Sequence, residues 1–143
     1  MAFYRKTKKA VNGRWYPQAV TAGRPMTMDE VADRLAVMSS LSKGDVYNVL
    51  LNLPLVMRQA MAEGQSVRLQ GMGTFWYTAD CLPGGEESRE SCGVHQIKRV
   101  HVRFIPEYSR RQNRSVATRT LTDTPLEWID IDAGTEKDED ASI

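Results

Sequence analysis

Long hydrophobic runs are missing from this sequence. Val49-Leu50-Leu51 meets Asn52 and Leu55-Val56-Met57 meets Arg58, so nothing approaches the roughly 20 apolar residues of a membrane-spanning helix. A soluble chain with no membrane partner is expected. The basic start from Arg5 to Lys9 runs into Asn12, Gly13 and Arg14 instead of an apolar stretch, which argues against a secretory signal and for a cytoplasmic location. Cysteine is scarce: Cys81 and Cys92 are the two. With His95 and His101 they form neither a C-x-x-C pair nor zinc-finger spacing, so no metal and no cofactor is expected. The thiols read either as reduced cytosolic cysteines or as a cross-arm disulfide, the latter only if a hairpin brings them opposite each other. No nucleophile, base and orienting acid stand together in a motif, and Thr27 and Ser42 are accounted for as helix caps. An enzyme acting on a small-molecule substrate is therefore not expected, and no internal repeat is visible.

What is present is ordinary globular material, 143 residues with 41% hydrophobic and 26% charged side chains, enough for one domain with appendages. The net charge of +1 conceals an asymmetry. Residues 1–119 carry 18 Lys or Arg against 10 Asp or Glu, a surplus of +8, whereas residues 120–143 carry 1 against 8, or −7. A basic body is the footprint of a polyanion partner; the plainer reading is a solvated surface with an acidic, solubilising tail.

Along the chain, residues 3–20 read as a hairpin turning at Asn12-Gly13 in a two-residue type I′ turn, or else as a disordered basic arm. Pro17 cannot donate to a ladder and so marks an edge or the end of pairing. Thr27 with Glu30 forms a capping box ahead of Val31, Leu35 and Met38 at helical spacing. Ser42 with Asp45 opens a longer helix, with Val46, Val49, Leu50, Leu53, Met57 and Met61 on one face and an end at Gly64. Pro54 is expected to kink or split that helix. The period then becomes two: Val67 and Leu69 alternate with Arg68 and Gln70, and Gly71-Met72-Gly73 turns into a strand from Thr74 to Tyr77. A polar loop or arm from Asp80 to Gln96 has Pro83-Gly84-Gly85 as its expected tip. From Lys98 to Phe104 a strand puts Val100, Val102 and Phe104 on one face and Arg99, His101 and Arg103 on the other. Pro106 suits the first turn of a last, basic helix, and the acidic residues from Thr135 to Ile143 read as disordered.

The run Gly64-Gln65-Ser66-Val67-Arg68-Leu69-Gln70-Gly71-Met72-Gly73-Thr74-Phe75 resembles the G-x-x-V-x-L-x-G-x-G-x-F signature of the HU and integration host factor family. Val31 to Met38 and Leu41-Ser42-Lys43-Gly44-Asp45 upstream, and Phe104-Ile105-Pro106 downstream, continue the likeness over roughly residues 26–115. The resemblance implies an α+β fold: an intertwined dimer with a helical base, a three-stranded sheet and a protruding β-arm that reaches around the DNA minor groove. It implies a non-catalytic, sequence-tolerant architectural protein of the nucleoid, binding double-stranded DNA as a homodimer or heterodimer. The expected layout is a basic extension over 1–25, similar to that of an HU-related subgroup, a DNA-binding domain over 26–119 and an acidic, largely disordered tail over 120–143.

Val46, Leu50, Leu53, Met57, Phe75 and Phe104 are the expected dimer core, since the helix face carries more apolar surface than a thin sheet covers. Arg99, Arg103, Arg110, Arg111 and Arg114 are the expected phosphate contacts. Lys6, Lys8 and Lys9 would add to them, with Trp15 or Tyr16 either stacking nearby or docking the hairpin onto the body. The arm departs from the family pattern. It lacks the Arg-Asn-Pro tip, leaving Pro83 beside Leu82 as the wedge candidate or as a plain turn residue. Asp80, Glu86, Glu87 and Glu90 face Arg89 alone there. That acidity supports a rival reading, an HU-type fold that binds proteins and contacts DNA weakly or not at all.

Overall fold

The computed structural model describes residues 1–134, with backbone only at residues 116–118; the 135–143 segment expected to be disordered lies outside the described residues. The chain forms two compact units, one of residues 1–26 with 124 onward, the other of residues 27–123.

In the first unit β1 (Ala2–Lys8) and β2 (Trp15–Val20) pair antiparallel from Phe3↔Val20 to Lys8↔Trp15. The turn is wider than the two residues expected from Asn12-Gly13. Lys9 N–H donates to Arg14 O at 2.9 Å and Gly13 N–H to Lys9 O at 2.8 Å. Asn12 Oδ1 accepts from Arg14 N at 3.1 Å, so Asn12 closes the turn with its side chain while Gly13 supplies the left-handed backbone at φ 66°. A third strand, β8 (Trp128–Asp130), lies parallel to β1. It falls inside the segment read as a disordered acidic tail; strand-favouring Trp128 and Ile129 pair with Ala2 and Phe3 despite the acids around them. The order β2-β1-β8 leaves Pro17 on an edge strand, where its missing N–H costs nothing.

In the second unit Thr27 caps α1 (Met28–Met38) with a complete capping box: its Oγ1 accepts from Glu30 N at 3.3 Å, and Glu30 Oε2 accepts from Thr27 N at 2.9 Å. Ser42 caps α2 (Lys43–Ala62) through Asp45 N at 3.2 Å. Lys43, at the head of α2, reaches back to Asp29 and Asp33 of α1 at 2.9 and 3.0 Å; these carboxylates, Asp29 first, hold its ammonium above the ordinary range. Pro54 does not split α2: the helix runs on to Ala62, with Pro54 exposed. Ala32 of α1 and Val46 and Met61 of α2 are buried.

After Gly64, at φ 84°, the chain enters β3 (Val67–Leu69), β4 (Gly73–Cys81) and β5 (Ile97–Pro106), an antiparallel sheet in that order. Phe75 stacks on Phe104 with centroids 4.6 Å apart. Gly73 is at φ 146°, and a Cβ there would strike the backbone of Ile105 and Pro106 and the Phe104 ring, so this glycine of the signature is a packing requirement. The expected basic helix after Pro106 is absent. Pro106 ends β5 instead, and β6 (Tyr108–Arg110) and β7 (Val116–Arg119) form a second hairpin. Its turn is set by Asn113, whose Oδ1 accepts from Ser115 N at 3.1 Å, and by Arg114, at φ 65°; Thr120 N–H then ties the return strand to Glu107 O at 3.2 Å.

Candidate functional site

The sheet of the second unit has two unlike faces. Strand register puts Arg68, Thr74 and Ile105 in one row across β3, β4 and β5, followed by Trp76 opposite Arg103, Thr78 opposite His101 and Asp80 opposite Arg99. Alternation sends Phe75 with Phe104, Tyr77 with Val102 and Ala79 with Val100 to the other face. Val100, Val102 and Phe104 are exposed there, Val102 at 56%. The result is a cationic face backed by an apolar strip that is exposed among the described residues.

Asp80 interrupts the cationic face. Its Oδ2 accepts from Arg99 Nε at 3.0 Å and lies 2.6 Å from His101 Nε2. His101 first, then Arg99, holds its carboxyl below the ordinary carboxylate range. Arg99 is thus already engaged by an acid on the neighbouring strand, while Arg103, opposite Trp76, is exposed.

Arg110, Arg111 and Arg114 gather at the β6–β7 turn and not along a helix. The Arg110 guanidinium lies 5.0 Å from the Tyr108 ring centroid and donates to Arg114 O at 3.1 Å; it also draws the Tyr108 phenol below its ordinary value. These contacts fix the arginine near the turn and leave it exposed. Arg68 and Arg110 line the same open cleft of about 410 Å³ with Thr74, Ile105, Pro106, Glu107 and Tyr108. Arg68 was not among the expected contacts, although its place between inward Val67 and Leu69 was the available signal. Glu107 tempers this cleft: it pairs with Arg68 at 3.4 Å and accepts from Gly71 N at 2.7 Å.

The remaining expected residues are dispersed. Lys6 of the first unit is paired with Asp130 at 3.0 Å, and Lys9 lies 4.7 Å from the Tyr16 ring centroid. Lys8 is exposed at the end of β1. Pro83 is exposed but sits at the root of the 82–96 loop, one residue past the Leu82 N–H to Gln96 O bond of 2.7 Å, so the expected tip position is corrected. A second turn at Ser88–Ser91 and a 3-10 turn at Val94–Gln96 complete the loop. Cys81 and Cys92 are exposed free thiols, so the disulfide alternative is not realised. Of the expected dimer core, Val46 is buried within the chain, Leu50, Leu53, Met57 and Phe75 are half-buried, and Phe104 is 41% exposed.

A family profile described as an HU domain fused to a winged helix-turn-helix, Ig or glycine-rich motif, HU-HIG, matches residues 2–120. The chain belongs to the HU-HIG family. The match takes in the β1–β2 hairpin as well as the helices and both later hairpins, so in this HU-HIG chain the family pattern extends over the segment read as an extension. A crystal structure from Bacteroides vulgatus ATCC 8482, described as a candidate bacterial DNA-binding protein, shares the fold with a TM-score of 0.54 and 12% identity over 90% of the HU-HIG chain. The chain spans 48% of that protein's length. No curated protein matches the sequence. Among the described residues no helix is long and apolar enough to cross a membrane.

Proposed function

We propose that this HU-HIG chain is a non-catalytic, sequence-tolerant DNA-binding protein that acts architecturally as a dimer on the nucleoid in the cytoplasm. One observation carries the reading: the β3–β4–β5 sheet sets Arg68, Arg99 and Arg103 on one face and the exposed Val100, Val102 and Phe104 strip on the other. The apolar strip, with Val49, Leu55 and Val56 of α2 exposed at 51–64%, suits a second copy of the chain. The cationic face and the arginines of the β6–β7 turn suit phosphate oxygens, which guanidinium forks meet without regard to sequence. Lys6, Lys8 and Lys9 are assigned to the same task, and exposed Leu82 and Pro83 to the minor groove. The description of the Bacteroides structure points the same way.

A second reading, a protein-interaction module, is favoured by the engagement of Arg99 with Asp80 and by the acids of the 82–96 loop. A gel-shift titration against random-sequence duplex separates the two. The DNA reading expects binding at micromolar protein or below, weakened at least tenfold when Arg103, Arg110 and Arg111 are all replaced by alanine. No shift with the wild type, or equal affinity for the triple variant, would favour the module.

A further inference from the structure

The three-stranded sheet of the first unit has a face whose aromatic side chains the duplex reading leaves without a role. Register and alternation place Tyr4, Lys6 and Lys8 of β1, Trp15, Pro17 and Ala19 of β2, and Trp128 and Asp130 of β8 on that face, where Asp130 is taken up by Lys6 and Lys8 is left as the exposed cation. Tyr4, Pro17, Ala19 and Trp128 line a groove of about 450 Å³. Trp128 is 51% exposed and Trp15 is 65% exposed, so both indole faces are open to a ligand.

Charge identifies the occupant. The described part of this unit, residues 1–26 and 124–134, holds six Lys or Arg against three Asp or Glu. Asp130 and Asp132 are engaged with Lys6 and Arg5 at 3.0 and 2.9 Å. Lys8 stands directly opposite Trp15 in the register, so a flat ring stacked on the indole would bring an attached anion within reach of an ammonium group. Indole and phenol faces interleaved with lysines, along a strand of seven residues, are the chemistry of unpaired nucleobases joined by phosphates. A proline-rich peptide would use the aromatics and leave the cation surplus unexplained.

We propose that the Tyr4–Trp15–Trp128 face binds single-stranded nucleic acid by stacking unpaired bases, with Lys8 on the backbone. The site is built from the first unit alone and stands whether or not the arginines of the second unit bind duplex.

Titrating the full chain with a twelve-nucleotide oligothymidylate, and following tryptophan fluorescence, tests it. Stacking predicts quenching by the oligothymidylate and little by an abasic oligomer of the same length. Trp15→Ala, at an exposed strand end, is expected to weaken binding about tenfold, and Lys8→Gln to flatten its salt dependence. The Arg103, Arg110 and Arg111 triple-alanine variant keeps oligothymidylate binding while losing duplex binding, which keeps the two sites apart. Equal binding of the abasic oligomer, unchanged affinity in both Trp15→Ala and Lys8→Gln, or quenching by a proline-rich peptide but not by oligothymidylate would overturn the proposal.

Discussion

Asp80 lies directly across the β4–β5 pair from Arg99, and its Oδ2 accepts the Arg99 Nε–H at 3.0 Å while standing 2.6 Å from His101 Nε2. An acid placed where the phosphate reading needs cations acts as an internal competitor. Asp80→Asn should release Arg99 and add one positive charge to the face. The expected result is tighter duplex binding, with the slope of log K against log salt steeper by about 0.9 if one phosphate contact is gained. Acid should act similarly. The Asp80 carboxyl is held below its ordinary value of 3.8, so the linkage it contributes is complete above that value and is lost as pH falls through the depressed one. Replacing Asp80 should lower stability near neutrality, where its contribution is complete, and leave it unchanged below the depressed value, so the profile flattens through the acidic window, measured by urea unfolding at stepped pH.

Gly73→Ala should be the costliest small substitution in the sheet. The added Cβ meets the backbone of Ile105 and Pro106, which cannot move aside without breaking the β4–β5 register, so a loss on the order of 3 kcal/mol is expected. Gly71→Ala, at φ 80° with open space around it, should cost only about 1 kcal/mol of backbone strain. Urea midpoints of the two variants check the ranking.

Those glycines show what could be read directly from the residues. The two capped helices, the alternation from Val67 to Phe104 and the N-terminal hairpin follow from local chemistry, because each carries its own stop and start signals. The segment after Pro106 did not. Proline suits both a helix start and a strand end, and the choice follows from the hairpin downstream, β6 with β7 and Thr120 with Glu107, and not from Pro106 itself. Asn113 and the strand-favouring Val116 and Thr118 were the overlooked signals. Likewise Trp128-Ile129 was masked by the surrounding acids until pairing with β1 gave it a place. The arginines were legible as cations, but not their partners: Asp80 for Arg99 is a matter of register, which composition does not reveal.

The acidic C-terminal segment should oppose DNA. Asp130 and Asp132 sit on Lys6 and Arg5, and Lys6 holds the Asp130 carboxyl below its ordinary range. Deleting residues 121–143 would raise the formal charge from +1 to +8 but would also remove β8. Asp130→Asn with Asp132→Asn is the cleaner change. Tighter duplex binding and a steeper salt slope are expected; superimposable titrations at two salt concentrations would exclude this antagonism.

Dimerisation should depend on α2. Leu50 is half-buried and exposed Val49 adjoins it, so Leu50→Glu would put a charge against apolar neighbours at a cost on the order of 3 kcal/mol. Sedimentation at micromolar concentration should give a dimer for the wild type and monomer or unfolded chain for the variant. A wild-type chain that sediments as a folded monomer would count against the shared core.

The most direct test of the DNA reading is an equilibrium titration of the full chain with random-sequence duplex across a range of salt. Arginines meeting phosphates predict a log–log slope of about −3 or steeper, as three or more neutralised phosphates require, and the same affinity for unrelated duplex sequences. A slope near zero, or binding confined to one short sequence, would contradict the account.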